Sequence, residues 1–139
     1  MSHKTVLITG GNRGIGLSLV KCFQKAGDRV IASCRQASDE LQALNIEIIE
    51  GIDVRNPKSL YNELQERGIT HLDILVNNAG ILRNEVLGSI NYQQILEQIE
   101  INALAPLKVV ENLLPLMISG SKIVNITSRM GSIADNTSG

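Results

Sequence analysis

The sequence predicts an α/β domain in which a doubly wound parallel sheet carries helices on both faces. Short aliphatic runs alternate with amphipathic stretches, which is the order that βαβ units require. Aromatic residues make up only 2% of the 139 residues, so the core must consist of Ile, Leu, Val and Ala side chains. The strands of such a sheet are buried on both sides and therefore read as continuous aliphatic runs.

Five aliphatic runs predict five parallel strands. They are Thr5–Ile8, Arg29–Ser33, Ile46–Ile49, Asp73–Val76 and Lys122–Thr127. Right-handed crossovers between them would give an open, twisted sheet that is truncated after about its fifth strand. A ligand of such a sheet binds beyond the carboxyl ends of the strands, where the strand order reverses.

The first two connections predict helices. The segment Ile15–Ala26 has helical apolar spacing, and Gly27 is suited to end it. A short second helix is expected around Ser38–Leu44. The expected buried face of the first helix consists of Ile15, Leu19, Cys22, Phe23 and Ala26.

A third helix is predicted to begin at Asn56 and Pro57. Asn56 would cap it, and Pro57 would occupy the first helical position, where a missing N–H costs little. Leu60 and Leu64 would form its buried stripe, and Gly68 would end it.

Two more helices are expected, at Tyr92–Glu100 and Ala103–Ile118. Pro115 lies deep in the second, so a kink or a loosened last turn is expected there. The tail from Ser132 to Gly139 is small and polar and is expected to be a loop. One aliphatic face of the second helix consists of Leu107, Val110 and Leu114.

Composition argues against several classes of function. The net charge is −1 and no basic cluster occurs, so a nucleic-acid surface is not expected. No apolar run reaches the roughly 18 residues that span a bilayer, so no membrane partner is expected. Cys22 and Cys34 lack metal-ligand spacing, which leaves no metal site and favours reduced thiols in the cytoplasm.

A glycine-rich turn, Thr9–Gly16, follows the first strand. Glycines there permit a tight turn and let backbone N–H groups approach a pyrophosphate. A P-loop would need Lys where Leu17 stands, so phosphoryl transfer is disfavoured. The G-x-G-x-x-G fingerprint is also absent, because Leu19 occupies the place of its last glycine.

Two motifs resemble those of the short-chain dehydrogenase/reductase family. The turn matches the family's T-G-x-x-x-G-x-G, and Asn77–Gly80 matches N-N-A-G after the fourth strand. The resemblance covers essentially all 139 residues and implies a Rossmann-type NAD(P)-binding domain over residues 1–139. The domain would be incomplete, with the catalytic and substrate-binding part expected beyond Gly139. The run Ile81–Ile118 is also similar to carbonyl-reductase-like members, including the C-factor group.

The resemblance implies a cofactor site at the strand ends. Asp53 matches the family's acidic residue that contacts the adenine amino group, although a turn-forming Asp is the alternative. The implied cofactor-binding residues are Thr9, Gly10, Asn12, Arg13, Gly14, Ile15, Gly16, Arg35, Asp53, Val54, Asn78, Ala79 and Gly80.

The end of the second strand favours a phosphorylated ribose. An NAD site usually has Asp or Glu there, but this chain has Cys34 followed by Arg35. Arg35 offers a charge-assisted, bidentate contact to a 2′-phosphate, and Arg13 could reach the same group. Ordinary solvated arginines are the alternative. NADP(H) is therefore the preferred cofactor, and NAD(H) stays possible.

Two of the family's four catalytic residues have counterparts. Ser128 matches the serine that hydrogen-bonds the substrate oxygen, and Asn102 matches the asparagine that organises a proton-relay water. A turn-forming Ser and a helix-capping Asn are the alternatives. The family's Tyr-x-x-x-Lys pair is missing, because Gln65 and Leu96 follow the two tyrosines by four residues. The chain alone is therefore expected to turn over little or nothing.

Two functional hypotheses follow. The first is an NADPH-dependent oxidoreductase that acts on a small-molecule carbonyl or alcohol. The second is a non-catalytic nucleotide sensor or interaction module on the same scaffold. An exposed aliphatic face on Ala103–Ile118 would form a homodimer or homotetramer, and packing of that face on its own sheet is the competing use.

Overall fold

Five parallel strands form one sheet in the computed structural model, which describes residues 3–135. The strand order is β3-β2-β1-β4-β5, so the direction of winding reverses between β1 and β4. Crevices at such reversal points are where ligands of open α/β sheets bind. The strands are β1 (Thr5–Thr9), β2 (Arg29–Ser33), β3 (Glu47–Ile49), β4 (Leu72–Asn77) and β5 (Met117–Asn125).

Helices connect the strands. The α-helices are α1 (Gly14–Lys25), α2 (Asp39–Gln42), α3 (Lys58–Glu66), α4 (Tyr92–Ile99) and α5 (Ala105–Leu113). The irregular helical segments are a π-helix at Glu100–Leu104 and 3₁₀ turns at Leu114–Leu116 and Arg129–Gly131.

The core has two halves, one on each face of the sheet. Successive side chains of β1 alternate between them, with Leu7 on one face and Val6 and Ile8 on the other, as the pleat requires. Residues of α3 and α5 cover the Leu7 face, and residues of α1 and α2 cover the opposite face. The predicted doubly wound architecture is confirmed.

Leu19 and Phe23 of the predicted α1 face pack against the core, but the rest of the buried face differs from the prediction. Ile15 is 62% exposed and Cys22 is exposed as well, whereas Gly16, Leu17 and Val20 are buried. The reason is local, because Gly16 packs directly against the turn that precedes the helix. That contact rotates the helix away from the face that apolar spacing favours. Gly27 ends the helix with φ +85°, as predicted.

The predicted cap of α3 is wrong. Pro57, not Asn56, precedes the first helical residue, and no side chain caps this helix. The backbone N–H of Asn56 instead donates to the Asp53 carbonyl, which closes a turn ahead of the helix. Leu60 and Leu64 are fully buried, as predicted.

The two helices expected after the fourth strand are joined into one. The π-helix continues α4 directly into α5, with no break in helical backbone at its flanking residues Ile99 and Ala105. The chain loosens at Pro115 into a 3₁₀ turn, as predicted. The helix therefore stops short of Ile118, because Met117 already begins β5.

The fifth strand begins five residues earlier than predicted, at Met117 instead of Lys122. Its first part is irregular, with a register shift against β4 and Gly120 at φ +91°. The Ser121 hydroxyl donates to the Leu72 carbonyl at 2.6 Å, which ties this irregular part to β4. Apolar runs alone do not reveal a strand that begins with a bulge.

Helix α5 packs on its own sheet with one face and leaves another face exposed. Ala105, Val109 and Leu113 are buried. Of the predicted aliphatic face, Leu107 is 66% exposed and Leu114, directly after α5, is 58% exposed, whereas Val110 is partly buried against the core. Packing on the sheet and an interface between subunits, the two uses that the sequence allows for this helix, thus involve different residues.

Two sequence expectations fall at the chain ends. Residues 132–135 contain no helix or strand, in agreement with the expected loop, and residues 136–139 lie outside the described part. Within residues 3–135, none of the helices has both the length and the apolar character needed to cross a bilayer.

Candidate functional site

The turn after β1 is closed by glycines that admit no side chain. Gly10 and Gly14 have φ of +67° and +54°, a region that glycine adopts without strain. A Cβ on Gly16 would lie 2.2 Å from the Gly10 carbonyl oxygen, so only glycine permits this approach. Beside Gly14, by contrast, the space that a Cβ would enter is open. The turn is therefore closely packed on the side of Gly16 and open on the side of Gly14.

Thr9 and Asn78 fasten this turn to the end of β4. The Thr9 hydroxyl oxygen accepts hydrogen bonds from the backbone N–H groups of Asn78 and Ala79, both at 3.1 Å. The Asn78 side-chain amide donates to the carbonyl oxygens of Thr9 and Gly10 at 3.1 and 3.0 Å. The two motifs are thus joined by four hydrogen bonds.

A cleft of about 910 Å³ opens at the carboxyl ends of β1, β2 and β4. Thr9 and Gly16 lie behind the turn and do not line it, and neither do Asn102 and Ser128. The sequence-predicted residues that line the cleft are Gly10, Asn12, Arg13, Gly14, Ile15, Arg35, Asp53, Val54, Asn78, Ala79 and Gly80. The fold therefore brings most of the predicted cofactor residues to one opening.

The N-terminus of α1 points its backbone donors toward this opening. The first N–H groups of any α-helix lack partners within the helix. Arg13 precedes the helix without a side-chain cap, and no acidic residue stands in the first turn. These donors and the helix dipole together favour an anion.

Four arginines line the cleft, and they differ in their partners. Arg13 and Arg35 are exposed and form no ion pair with a carboxylate of residues 3–135. Arg55 pairs with Asp53 at 2.7 Å, and Arg83 pairs with Glu97 at 3.0 Å. The first two therefore have no carboxylate in an ion pair, although the Arg35 charge is close enough to Asp53 to lower the pKa of that carboxyl.

Sequence reasoning missed Arg55 and Arg83. Arg55 follows Asp53 by two residues, a spacing at which a turn can pair them, so the sequence did contain a local signal. Arg83 and Glu97 are separated by 14 residues, and only the fold brings them together.

Asp53 is held by Arg55 through several hydrogen bonds. The guanidinium contacts both carboxylate oxygens, with the shortest N–O distance 2.7 Å, and the Arg55 backbone N–H donates to the same carboxylate at 2.9 Å. These side-chain hydrogen bonds lower the pKa of Asp53, and the charges of Arg55 and Arg35 lower it further. Asp53 is therefore an anion with one strong partner, and it lines the cleft.

Cys34 lies at the position where NAD sites carry a carboxylate. It is buried, and burial raises the pKa of its thiol, with the Glu50 charge acting in the same direction. A neutral thiol adds no negative charge to this wall of the cleft.

Asn102 lies inside the π-helix and does not cap a helix, so the capping alternative is wrong. Its side-chain oxygen accepts from the backbone N–H of Ile81 at 2.8 Å, and its amide donates to the Ile81 carbonyl at 2.7 Å. A Cβ on Gly80 would lie 3.1 Å from the same oxygen. Asn102 thus fixes the backbone directly after the N-N-A-G motif.

Ser128 follows β5 on the exposed surface. Its hydroxyl oxygen accepts from the Met130 backbone N–H at 3.1 Å and so caps the 3₁₀ turn at Arg129–Gly131. The turn-forming alternative for Ser128 is therefore realised. The hydroxyl keeps its own proton to donate elsewhere.

Comparisons with known proteins identify the chain's relatives. The family model for short chain dehydrogenase matches residues 4–137. A 1-hydroxy-2-glutathionyl-2-methyl-3-butene dehydrogenase from Rhodococcus sp. (strain AD45) is 39% identical over 138 residues, which cover 97% of this chain and 61% of the relative. The chain thus spans about 60% of that relative's length.

Solved structures agree. The NADPH-bound carbonyl reductase from chicken fatty liver superposes with a TM-score of 0.82 at 29% identity, covering 97% of this chain and 63% of that one. A Burkholderia multivorans short-chain dehydrogenase/reductase with bound NADP superposes with a TM-score of 0.84 at 29% identity. The match covers 99% of this chain and 64% of that one. The glycine turn, the N-N-A-G segment and the doubly wound parallel sheet agree with these matches. This chain belongs to the short chain dehydrogenase family of oxidoreductases.

Proposed function

We propose that this chain is the nucleotide-binding part of an NADP(H)-dependent oxidoreductase that acts on a small-molecule carbonyl or alcohol. The observation that carries the proposal is the pair of arginines without carboxylate partners, Arg13 and Arg35, at the cleft beside the glycine turn. The nucleotide-sensor alternative has no observation of its own in its favour.

The residues fit a dinucleotide. Gly14 leaves open space in front of a helix N-terminus whose donors are uncapped, which suits a pyrophosphate. Gly10, Asn12, Ile15 and the backbone of the N-N-A-G segment would surround it. Thr9 and Gly16 would act from behind, because they hold the turn and do not line the cleft.

The cofactor preference follows from charge. Arg13 and Arg35 would bind a 2′-phosphate through charge-assisted hydrogen bonds. Cys34, whose thiol stays neutral, would not repel that phosphate as Asp or Glu would. NAD(H) lacks the group that these arginines recognise, so it would bind more weakly. The solved relatives from chicken and Burkholderia multivorans hold NADPH and NADP, respectively.

Asp53 and Val54 would bind the adenine. Arg55 occupies part of the acceptor capacity of Asp53, but a carboxylate has about four lone-pair sites, so an adenine amino group could still be bound. The pairing with Arg55 would then fix the carboxylate in place for that contact.

The catalytic residues of this chain would orient a substrate but not protonate it. The bound nicotinamide supplies hydride chemistry. Ser128 would donate a hydrogen bond to the substrate oxygen, and Asn102 would keep the backbone at Ile81 in place beside it. The 139 residues contain no Tyr-x-x-x-Lys, so no side chain of this kind provides the proton. Little or no turnover is therefore expected from these residues alone.

The exposed aliphatic side chains of α5 would form a homodimer or homotetramer interface. Leu107 and Leu114 are available for this, because other residues of the helix already cover the sheet. Cys22 and Cys34 would be reduced thiols, as is usual for proteins of the cytoplasm.

Turnover measurements test this function. The 139-residue chain would be compared with the same chain continued by a family segment that carries Tyr-x-x-x-Lys, with NADPH and a carbonyl compound as substrates. Only the extended protein should oxidise NADPH, and replacing its added Tyr by Phe should remove most of that rate. Equal rates for the short and the extended proteins would overturn the assigned roles.

A further inference from the structure

Two hydrogen bonds join the glycine turn to the loop that follows β2. The Ser38 backbone N–H donates to the Asn12 side-chain oxygen at 2.5 Å, and the Ser38 hydroxyl donates to the Asn12 carbonyl oxygen at 2.7 Å. Both residues are half-buried. The Ser38 oxygen also accepts from the Leu41 N–H at 3.2 Å and so caps α2. We call this pair of residues, Asn12 and Ser38, the turn bracket.

The turn bracket is close in sequence to both arginines that have no carboxylate partner. Arg13 follows Asn12 directly, and Arg35 precedes Ser38 by three residues. The loop that carries Arg35 is also held from β3, since the Ala37 N–H donates to the Glu50 carboxylate at 2.7 Å. The backbones that carry both guanidinium groups are thus fixed relative to each other.

A fixed backbone separation is important when two arginine side chains bind one phosphate. An arginine side chain loses much rotamer freedom when it binds an anion, and two arginines can share one phosphate only if their backbones lie at a suitable separation. Neither Arg13 nor Arg35 has an ion pair that would hold its guanidinium in place among the described residues. Their spacing therefore depends on the backbone. The Gly10 N–H donates to the Ser33 carbonyl and the Gly51 N–H donates to the Arg35 carbonyl, and the turn bracket adds the only side-chain hydrogen bonds between the two arginine-bearing segments among the described residues.

We propose that Asn12 and Ser38 are positioning residues that determine the selectivity for a phosphorylated ribose by setting the distance between Arg13 and Arg35. This inference rests on the NADP(H) preference proposed above. Asn12 and Ser38 also line the cleft, and the positioning role rests on the two oxygens of Asn12, both of which accept from Ser38. The selectivity is then a property of four residues and not of two arginines alone.

Binding constants for NADPH and NADH test the turn bracket. Ser38→Ala removes the hydroxyl bond, and we expect it to weaken NADPH binding roughly three- to tenfold while NADH binding changes less than about twofold. Ser38→Thr keeps a hydroxyl and should retain the selectivity of the unaltered protein. Asn12→Ala removes the other bond of the pair, from the Ser38 N–H to the Asn12 side-chain oxygen, so the test does not depend on the folding of one variant.

A matched control separates positioning from stability. Asn91→Ala removes the cap of α4, where the Asn91 side chain accepts from the Gln94 N–H at 3.2 Å, far along the chain from both arginines. It should lower the unfolding temperature as Ser38→Ala does, with the ratio of the two dissociation constants unchanged.

The outcomes distinguish the inference from the function on which it rests. If the unaltered protein prefers NADPH and Ser38→Ala and Asn12→Ala both reduce that preference, the turn bracket is supported. If the preference exists but survives both substitutions, or if NADPH and NADH weaken equally, only the turn bracket is wrong. Equal affinities in the unaltered protein would overturn both the cofactor preference and the turn bracket.

Discussion

Two pairs of arginines line the same cleft, and they have different surroundings. Arg55 and Arg83 form ion pairs with Asp53 and Glu97, whose Oε1 atom is also 3.9 Å from Arg55. These contacts connect the loop after β3, helix α4 and the loop after β4. Arg13 and Arg35, beside the glycine turn, have no such partners within the described part of the chain.

Under the proposed function, the difference separates arginines that stabilise the fold from arginines that bind the cofactor. A guanidinium that already has a carboxylate adds little to the attraction of a further anion, whereas one without a partner provides its full charge. The sequence motifs single out Arg13 and Arg35 and give no reason to compare them with Arg55 and Arg83. Their partners, which come from the fold, decide which pair is available to a ligand.

The largest expected effect on stability and binding comes from disrupting the glycine turn that carries Arg13. Gly16→Ala places a Cβ 2.2 Å from the Gly10 carbonyl oxygen and 2.4 Å from the Asn78 side-chain amide. Overpacking of this kind costs about 1–3 kcal/mol of unfolding free energy, and binding of either dinucleotide should be largely lost. Chemical denaturation and a binding titration measure the two effects. Gly131→Ala is the control, because its Cβ would meet nothing within 4 Å; an equal loss there would contradict the steric account.

The next largest effect is expected from replacing an arginine by glutamine, once at Arg35, which has no ion pair, and once at Arg55, which is paired with Asp53. Arg35→Gln should weaken NADPH binding about tenfold, with little change in the unfolding temperature, because a charged hydrogen bond to the phosphate is lost. Arg55→Gln should lower the unfolding temperature by a few degrees and leave the ratio of NADPH to NADH affinity unchanged, since it breaks the contacts of Asp53. If Arg55→Gln instead weakened NADPH binding selectively and Arg35→Gln instead lowered the unfolding temperature, ion pairing would not explain which arginine binds the cofactor.

The smallest effect is a pH dependence of stability at Asp53. Its pKa is lowered in the folded protein, chiefly by the hydrogen bonds from Arg55, from an ordinary value of 3.8. Its stabilising contribution is therefore complete above that value and is lost as the pH falls below it. Unfolding free energies from pH 7 downward should show Asp53→Asn less stable than the unaltered protein, with the gap closing only at about pH 3.8 and below. A gap that already closes near neutral pH would exclude this cause.

The strands and motifs were accessible from the sequence because each depends on local chemistry. The limits of β2 were predicted correctly, since the apolar residues Val30–Ala32 are flanked by polar residues and follow the turn at Gly27. The glycine turn and the N-N-A-G segment were placed correctly because parallel strand ends meet at one edge of a sheet.

What the sequence did not reveal depends on contacts between distant residues. The buried face of α1 is set by the close packing of Gly16, which outweighs apolar spacing. The π-helix that carries Asn102 leaves no periodic signal of its own. The irregular start of β5 at Met117 depends on pairing with β4 and not on propensity.

The central claim, that arginines without partners read a 2′-phosphate, is tested most directly by dissociation constants for NADPH and NADH at one fixed salt concentration. The measurement compares the unaltered protein with Arg35→Asp, which places a carboxylate beside Cys34. The account predicts a clear NADPH preference in the unaltered protein and its loss or reversal in the variant. A preference for NADH at the outset, or a ratio of the two constants that Arg35→Asp leaves unchanged, would contradict it.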